Sequence, residues 1–262
     1  MIKDYHLHPQ ILTKPDWIHS FIRTAIEKGI DEICVTDHMP LSLSDAADRI
    51  PAGRVGEYCT RVRRLAEEYA GRISIRLGIE IDYHPSVTGE IEAVLEAGDF
   101  DYVIGSSHLH VAPADLFRSI RTYTEFAGAM LENDILAARS GYFDTLAHLD
   151  FFKWHFSRPD RFPLTDDGFV YERLCPLVED VLDAVREEGI RLELNSHRLA
   201  HTDDIGWMYP EIWIAEMALE KGVRFAFGSD AHSPEHVGTG LDILHAHPVY
   251  GKALALWEED SL

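Results

Sequence analysis

Short runs of apolar and β-branched residues alternate with helical patterns along almost the whole chain, and this alternation leaves few folds open. Strands separated by helices pair in parallel, because each crossover returns the chain in the same direction. The strand-like runs are the first eight residues, EICVTDH, ISIRLGIEIDY, DYVIGSSH, FDTLAHLD, IRLELNS and VRFAFGSDAH. They predict an α/β barrel of seven β/α units, closed or nearly closed. An open doubly wound sheet is the alternative.

The segments between these runs have helical periodicity. The first helix is predicted over 15–29, with its apolar residues on one face: Ile18, Phe21, Ile22, Ala25 and Ile26. Further helices are predicted over 55–71, 90–98, 123–141, 171–189 and 210–222. The aromatic and basic segment 151–163 is interpreted as a looser connection.

Length and composition favour one soluble domain over residues 1–262. The chain has 262 residues, within the range of a single barrel, and no segment is typical of a linker. No run reaches the roughly 18 to 20 apolar residues of a membrane span. The N-terminus has no basic or apolar leader, and the three cysteines are widely spaced, so we expect a cytoplasmic protein with reduced thiols.

The charge restricts the partners. A formal net charge of −21 argues against nucleic-acid binding, which needs clustered basic residues. An anionic small molecule would need a local positive field, which bound divalent ions can supply. The 15 histidines point in the same direction. The sequence leaves the oligomeric state unknown.

Nearly every predicted strand ends in residues that can bind a metal. In a barrel these ends meet at one face, where catalytic groups gather from many strands. Each residue alone also fits a turn or an exposed strand end, but together they predict a site with several metals. The residues are His6 and His8, His38, Glu80, His108 and His110, His148, Asn195 and His197, and Asp230 and His232.

The remaining histidines fall in predicted loops or in the C-terminal tail. We expect them at the surface or supporting the site rather than binding a metal. They are His84, His155, His201, His236, His245 and His247.

The motifs DYHLH, TDH, GIEIDY, DYVIGSSHLH, AHLD, ELNSHRL and GSDAHSPEHVG resemble, in this order, those of the PHP (polymerase and histidinol phosphatase) superfamily. The resemblance is closest to its monofunctional histidinol-phosphate phosphatases and covers nearly the whole chain. It implies a distorted TIM-like barrel of seven β/α units and two or three divalent ions, zinc, manganese or iron. It also implies a metal-dependent hydrolase acting on a small phosphate ester.

The resemblance also implies the ligands. The first ion would take His6, His8, Glu80 and Asp230, Glu80 would bridge to a second ion on His108 and His148, and the third would take His38 and His232. A further ligand of the third ion is expected where this chain has Lys14, and a protonated lysine cannot bind a metal. His19 is the predicted replacement, with Asp16 as one alternative and a third site that is weaker, completed by water or empty as the other. His110 is expected near the site without binding a metal.

The implied reaction is hydrolysis of L-histidinol phosphate by metal-activated water, with Glu80, Asp230 and His232 as catalytic residues. Arg198 is the predicted phosphate clamp, because guanidinium matches phosphate geometry. Lys153 is a second candidate, followed by Arg158 and Arg161. The general acid is not identified.

Substrate choice is less determined by the sequence. Acidic and aromatic residues predicted at the barrel mouth suit the amine and imidazole of histidinol: Asp37, Asp150, Phe151, Phe152, Trp154 and Trp207. Such residues serve many substrates. The alternatives are another small phosphate ester or a nucleotide as substrate, and a non-catalytic metal-binding scaffold.

Overall fold

A computed structural model describes residues 1–39, 49–51, 53–108, 120–158 and 164–260. Seven strands form one sheet in chain order, and each neighbouring pair is parallel. They are β1 (Lys3–Leu7), β2 (Glu32–Val35), β3 (Ser74–Asp82), β4 (Tyr102–Ser106), β5 (Thr145–Leu146), β6 (Arg191–Asn195) and β7 (Arg224–Gly228). All seven lie within the predicted runs.

The sheet curls until its first and last strands meet. Leu7 forms a parallel bridge with Ala231, whose carbonyl accepts a hydrogen bond from the His8 amide at 2.9 Å. The buried Asp4 carboxylate strengthens this seam by accepting the amides of Ser229 and Gly238, each at 2.9 Å. The nearly closed barrel is therefore confirmed, and the open sheet is excluded.

The described residues contain nine α-helices. They are α1 (Ile18–Glu27), α2 (Val55–Glu68), α3 (Thr88–Ala97), α4 (Tyr123–Ala138), α5 (Phe152–Phe156), α6 (Cys175–Glu187), α7 (Ile212–Lys221), α8 (Leu241–Ala246) and α9 (Tyr250–Glu259). The first predicted helix buries its expected face, except that Ile26 is exposed. The predicted helix over 171–189 is divided: 171–174 is a 3₁₀ turn, and α6 starts where Pro176 fits a first helical turn.

Three helices were not predicted. The short helix α5 lies in the segment interpreted as a loose connection, and α8 and α9 follow the last strand. His155, on α5, is buried between the rings of Phe126 and Phe151 rather than in a loop. His245 is exposed, as expected, but it lies on the helix α8.

Aromatic residues fill the barrel end opposite the strand C-termini. The Tyr5 ring packs edge-on against both Tyr102 and Trp257, at 4.9 Å between centroids in each case. Trp257 belongs to α9 and is fully buried, so this helix closes the bottom of the barrel. Polar chemistry is therefore concentrated at the opposite end. Among the helices described, none is long and apolar enough to cross a membrane.

One buried carboxyl on α4 lies outside the strand-end cluster. Asp134 is 2% exposed, and its Oδ2 has no hydrogen-bond partner among the described residues. Burial raises the pKa of Asp134 to about 8, although a hydrogen bond with Ser107 partly opposes the shift. The folded protein therefore keeps this carboxyl protonated at a pH where the unfolded chain has released the proton.

This difference predicts a pH-dependent effect of Asp134→Asn. Between about pH 4 and pH 8 the unfolded chain binds fewer protons at Asp134 than the folded protein does. The free energy of unfolding of the wild type therefore falls as pH rises through that range, by up to roughly 1.4 kcal/mol per pH unit. We expect Asp134→Asn to gain stability over wild type from pH 5 to pH 8. Denaturant unfolding of metal-free protein measures the difference. The exposed Asp180→Asn is the control, and a constant difference across this range would refute the assignment.

Candidate metal centre

The Glu80 carboxylate lies at the centre of the histidines on the barrel's C-terminal face. Its Oε2 is 2.6 Å from His38 Nδ1 and 3.5 Å from the Nε2 atoms of both His6 and His8. Its Oε1 is 3.3 Å from His148 Nε2. One β3 side chain thus contacts residues from β1 and from the segments after β2 and β5.

Asp230 and His232 approach the same cluster from the end of β7. Asp230 Oδ1 is 3.2 Å from His8 Nε2, and the His8 and His232 ring centroids are 4.5 Å apart. Four groups of side chains have ligand atoms within 4.8 Å of one another: His6, His8 and Glu80; Glu80, His108 and His148; His8, His38 and His232; and His197, Asp230 and His232. The structure therefore brings together eight of the nine predicted ligands, all but His19.

The donor atoms of this cluster are suited to binding cations. Within the described part of the chain, His6 Nε2, His8 Nε2 and Glu80 Oε2 are buried and lie close to one another or to other polar atoms of the cluster, but none of the three makes a hydrogen bond of good geometry. Buried polar atoms of this kind are costly unless another partner satisfies them, and divalent ions favour mixed imidazole and carboxylate ligands. The clusters can therefore bind metal ions.

Burial and mutual charge set the protonation of these groups. Burial alone would raise the pKa of Glu80, but His38 and His6 outweigh it and hold that pKa well below its usual range. In the same way His6 and His197 overcome burial and lower the pKa of Asp230. Burial, reinforced by His38, lowers the pKa of His8. The carboxylates are thus ionised and His8 is neutral, which are the forms that bind metals.

Burial would lower the pKa of both His6 and His38, but neighbouring carboxylates outweigh it. Glu193 raises the pKa of His6, and Glu80 raises the pKa of His38 to about 9. Both rings would therefore release a proton on binding a metal.

Glu193 on β6 is a functional residue that the sequence reasoning missed. Its Oε1 accepts a hydrogen bond from His6 Nδ1 at 2.5 Å, and its Oε2 accepts the His148 amide at 2.9 Å. A carboxylate on Nδ1 fixes the imidazole with Nε2 free for a metal. A Cβ on Gly228 would lie 2.2 Å from this carboxylate, so the glycine of GSDAH is needed for space. The signal was a glutamate between two leucines, Leu192 and Leu194, two residues before the strand ends at Asn195.

Asp82 plays a similar part for His108. Its Oδ1 accepts from His108 Nδ1 at 2.7 Å and from Ser106 Oγ at 2.9 Å, while its Oδ2 pairs with Arg49 at 2.5 Å. All four side chains are buried or nearly so. The last acidic residue of GIEID therefore orients a histidine on the neighbouring strand.

Two cluster residues have backbone conformations that side chains rarely adopt. His148 has φ of 21° and Asp230 has φ of 49°. Such strain persists only where the surroundings enforce it, and it is concentrated at functional sites. In both residues the chain turns sharply just after a strand and directs the side chain towards Glu80 or His8.

Several predicted residues lie elsewhere. His19 does not join the cluster, because it faces away on α1, where its Nδ1 is 2.8 Å from Tyr69 Oη. Lys153 is buried, and its ammonium donates to Asp150 Oδ2 at 2.9 Å and to the Met208 carbonyl. It therefore joins two segments of the fold instead of facing the mouth. His110 and Arg161 lie outside the described residues.

The structure also shows the surroundings of the other basic residues and of the residues predicted to contact the substrate. The Arg198 guanidinium lies 5.2 Å from the Trp207 ring centroid, and that of Arg158 lies 4.7 Å from the Trp154 ring. Both carboxylate oxygens of Asp37 accept loop amides, those of Gln10 and Ile11, at 2.8 Å. The remaining substrate candidates divide by burial: Asp150 and Phe152 are buried, whereas Phe151, Trp154 and Trp207 are partly or fully exposed.

The fold and the ligand groups define an α/β-barrel protein equipped to bind several metal ions. Residues 4–197 match the PHP domain, and the chain belongs to that family, which confirms the resemblance seen in its motifs. It is 33% identical over 243 residues to a protein described as "Probable histidinol-phosphatase" from Deinococcus radiodurans, covering 90% of this chain and 88% of that protein.

Other similarities agree with this family. The chain is 27% identical to the histidinol-phosphatase of Bacillus subtilis, covering 90% of this chain and 95% of that protein. Its fold matches a crystal structure of histidinol phosphate phosphatase from Lactococcus lactis with a TM-score of 0.73 at 20% identity, covering 96% and 93% of the two chains. That structure is a complex with zinc, L-histidinol and phosphate.

The central position of Glu80 predicts that Glu80→Gln loses bound metal. An amide has no charge to offset two cations, so we expect the variant to retain fewer zinc equivalents than wild type after dialysis, with an unchanged circular dichroism spectrum. Elemental analysis measures the zinc. Full zinc loading in a folded Glu80→Gln protein would contradict the central role of this carboxylate.

Glu193→Gln should behave differently, because Glu193 orients His6 without belonging to any of the four groups. We expect the same number of zinc equivalents as wild type with affinity lowered about 10- to 100-fold. Competition with a chromophoric chelator measures the affinity. A loss of zinc equivalents equal to that of Glu80→Gln would show that the two glutamates do not have separate roles.

Proposed function

We propose that this chain hydrolyses L-histidinol phosphate to L-histidinol and inorganic phosphate. The observation that supports this most strongly is the ring of buried imidazole and carboxylate groups around Glu80. It occurs in a chain similar over nine-tenths of its length to proteins described as a probable histidinol-phosphatase and a histidinol-phosphatase. A phosphate ester requires the positive field that this ligand set can assemble.

The geometry and the family support a ligand set for two or three divalent ions. His6, His8, Glu80 and Asp230 would hold the first ion, and Glu80, His108 and His148 the second. His38 and His232 would hold a third. Zinc is the ion we propose, supported by its presence in the Lactococcus lactis structure, with manganese or iron as alternatives. When bound, these ions supply the charge that offsets a phosphate dianion and acidifies water.

The reaction adds a water oxygen to phosphorus, breaks the ester P–O bond and gives a proton to the departing alkoxide. Glu80 and Asp230 stay ionised because neighbouring imidazoles lower the pKa of each carboxyl, so both can balance cationic charge throughout. His232 donates from Nδ1 to the Asp230 carbonyl at 3.0 Å, which fixes its tautomer and leaves Nε2 as the free ring nitrogen.

Arg198 is the side chain we propose for holding the phosphoryl group. Its Nε is buried without a hydrogen-bond partner, and no carboxylate pairs with its guanidinium in the described ranges. The adjacent His197 donates from Nδ1 to the Asp230 carbonyl, so the backbone of Arg198 is close in sequence to the predicted metal ligands. Lys153 has no such freedom, because Asp150 and two backbone carbonyls occupy its ammonium.

Phe151 is the aromatic residue best placed to contact the substrate. Its ring lies 5.0 Å from that of His108 and 4.9 Å from that of His148, and it stacks on Trp154 at 5.5 Å. A partly exposed aromatic pair beside the predicted metal ligands suits stacking with a flat imidazole.

A substrate panel tests the activity. We expect kcat/KM for L-histidinol phosphate to exceed that for other small phosphate esters and for mononucleotides, measured by phosphate release from zinc-loaded protein. A flat or reversed preference would overturn the assigned substrate. Metal-loaded protein inert towards every ester would instead favour the scaffold alternative.

Arg198→Ala should weaken phosphate binding while leaving the metals bound. The loss of a charge-assisted hydrogen bond of about 1.5 to 3 kcal/mol predicts a rise of roughly 10- to 100-fold in KM and in the inhibition constant of inorganic phosphate. For Arg198→Lys we expect KM and the inhibition constant to lie between those of wild type and Arg198→Ala, because an ammonium keeps the charge but cannot form the paired hydrogen bonds of a guanidinium. The exposed Arg173→Ala is the control. Unchanged kinetics in Arg198→Ala would remove it from the site.

A further inference from the structure

The proposed third ion, held by His38 and His232, lacks the further protein ligand that the family resemblance implies at position 14. Lys14 is exposed, and its ammonium lies 4.1 Å from the Trp17 ring centroid, away from the cluster. His19 is hydrogen-bonded to Tyr69, and the exposed Asp16 belongs to none of the four ligand groups found among the described residues, so neither supplies that ligand. An ion held by His38 and His232 therefore needs a protein ligand from another part of the barrel.

His197 lies just after β6, and a hydrogen bond orients its ring in the way that is typical of metal ligands. Its Nδ1 donates to the Asp230 carbonyl at 2.8 Å, and His232 Nδ1 donates to the same carbonyl at 3.0 Å. One backbone oxygen thus fixes both imidazoles in the tautomer that leaves Nε2 as the free nitrogen. Ligating histidines are usually held in this way.

The geometry around His197 also supports its assignment as a metal ligand. The rings of His197 and His232 are 5.5 Å apart, and both residues share a group with Asp230 whose ligand atoms lie within 4.8 Å. The His197 amide donates to Asn195 Oδ1 at 3.0 Å, which anchors its backbone to the end of β6. The positive φ of Asp230 belongs to the turn that presents its carbonyl to both rings.

We propose that His197 is a protein ligand of the third divalent ion, beside His232 and His38, in place of the side chain missing at position 14. The proposal rests on the proposed function only in requiring that the centre binds metal. It differs from the ligand set implied by the family resemblance in one respect: the segment just after β6 supplies a direct ligand, whereas β6 itself supplies the orienting Glu193 and the Asn195 amide, which donates to Asp230 Oδ2.

The neighbouring histidines provide a matched control. His201 and His236 continue outward from His197, with ring centroids 5.9 Å apart for His197 and His201 and 5.2 Å apart for His201 and His236. Neither belongs to any of the four ligand groups found among the described residues. His201→Ala therefore removes an imidazole of the same chemistry without removing a proposed ligand.

Zinc titration of metal-free protein with a competing chromophoric chelator tests the proposal. We expect three equivalents in wild type and in His201→Ala. We expect His197→Ala to bind two zinc equivalents as wild type does and to bind the third equivalent more than about 100-fold more weakly. The loss of a direct ligand should lower zinc affinity more than the loss of a residue that only orients a ligand. Three equivalents of unchanged affinity in His197→Ala, only two in wild type, or the same loss in His201→Ala would overturn the proposal.

A second variant detects ligation directly. Cysteine thiolate binds zinc and cobalt, so His197→Cys should recover the third equivalent and, when loaded with cobalt, show a thiolate-to-cobalt charge-transfer band absent from wild type. Absence of that band from folded, cobalt-loaded protein would refute direct ligation. Neither readout requires turnover, so a failure of the assigned phosphatase activity would leave both results interpretable.

Discussion

The burial of one carboxylate, that of Glu80, determines how the rest of this barrel is arranged. An ionised carboxylate inside a protein is tolerated only with opposite charge and hydrogen bonds around it. The strand ends supply imidazoles on almost every side, at 2.6 to 3.5 Å from its oxygens. Because these imidazoles come from separate β/α units, the seven strands must stay in register for the charge to be satisfied.

A second layer of hydrogen-bond acceptors, two carboxylates and one backbone carbonyl, keeps three of the imidazoles in place. Glu193 orients His6, Asp82 orients His108, and the Asp230 carbonyl orients His232. Each contact engages Nδ1, so the opposite nitrogen is the one left for a cation. The lack of room for a side chain at Gly228, at the end of β7, and the strained backbone of Asp230 accompany the fit of this second layer beside the first.

The sequence predicted the barrel and most of the cluster because both follow from one regularity: apolar strands that end in histidine or acid. It could not predict features that depend on how distant segments pack. Helical periodicity did not show that His19 meets Tyr69, and a basic residue at the barrel mouth did not show that Lys153 is bound to Asp150. The short helix α5 lacked enough residues to show a period, and His155 was consequently expected at the surface or supporting the site, not in the core.

Charge explains why such a site should acquire cations before an anionic substrate. Glu80, Asp82, Glu193 and Asp230 bring four carboxyl groups into the cluster, in a chain with a formal charge of −21. Arg49 is paired with Asp82, so it offsets only one of them. Without bound metal, these carboxylates are offset mainly by the imidazoles whose pKa they raise, His6 and His38 among them, which leaves little positive charge for a phosphate dianion. Metal ions held by the cluster would supply the positive charge that a phosphate dianion needs at the barrel mouth.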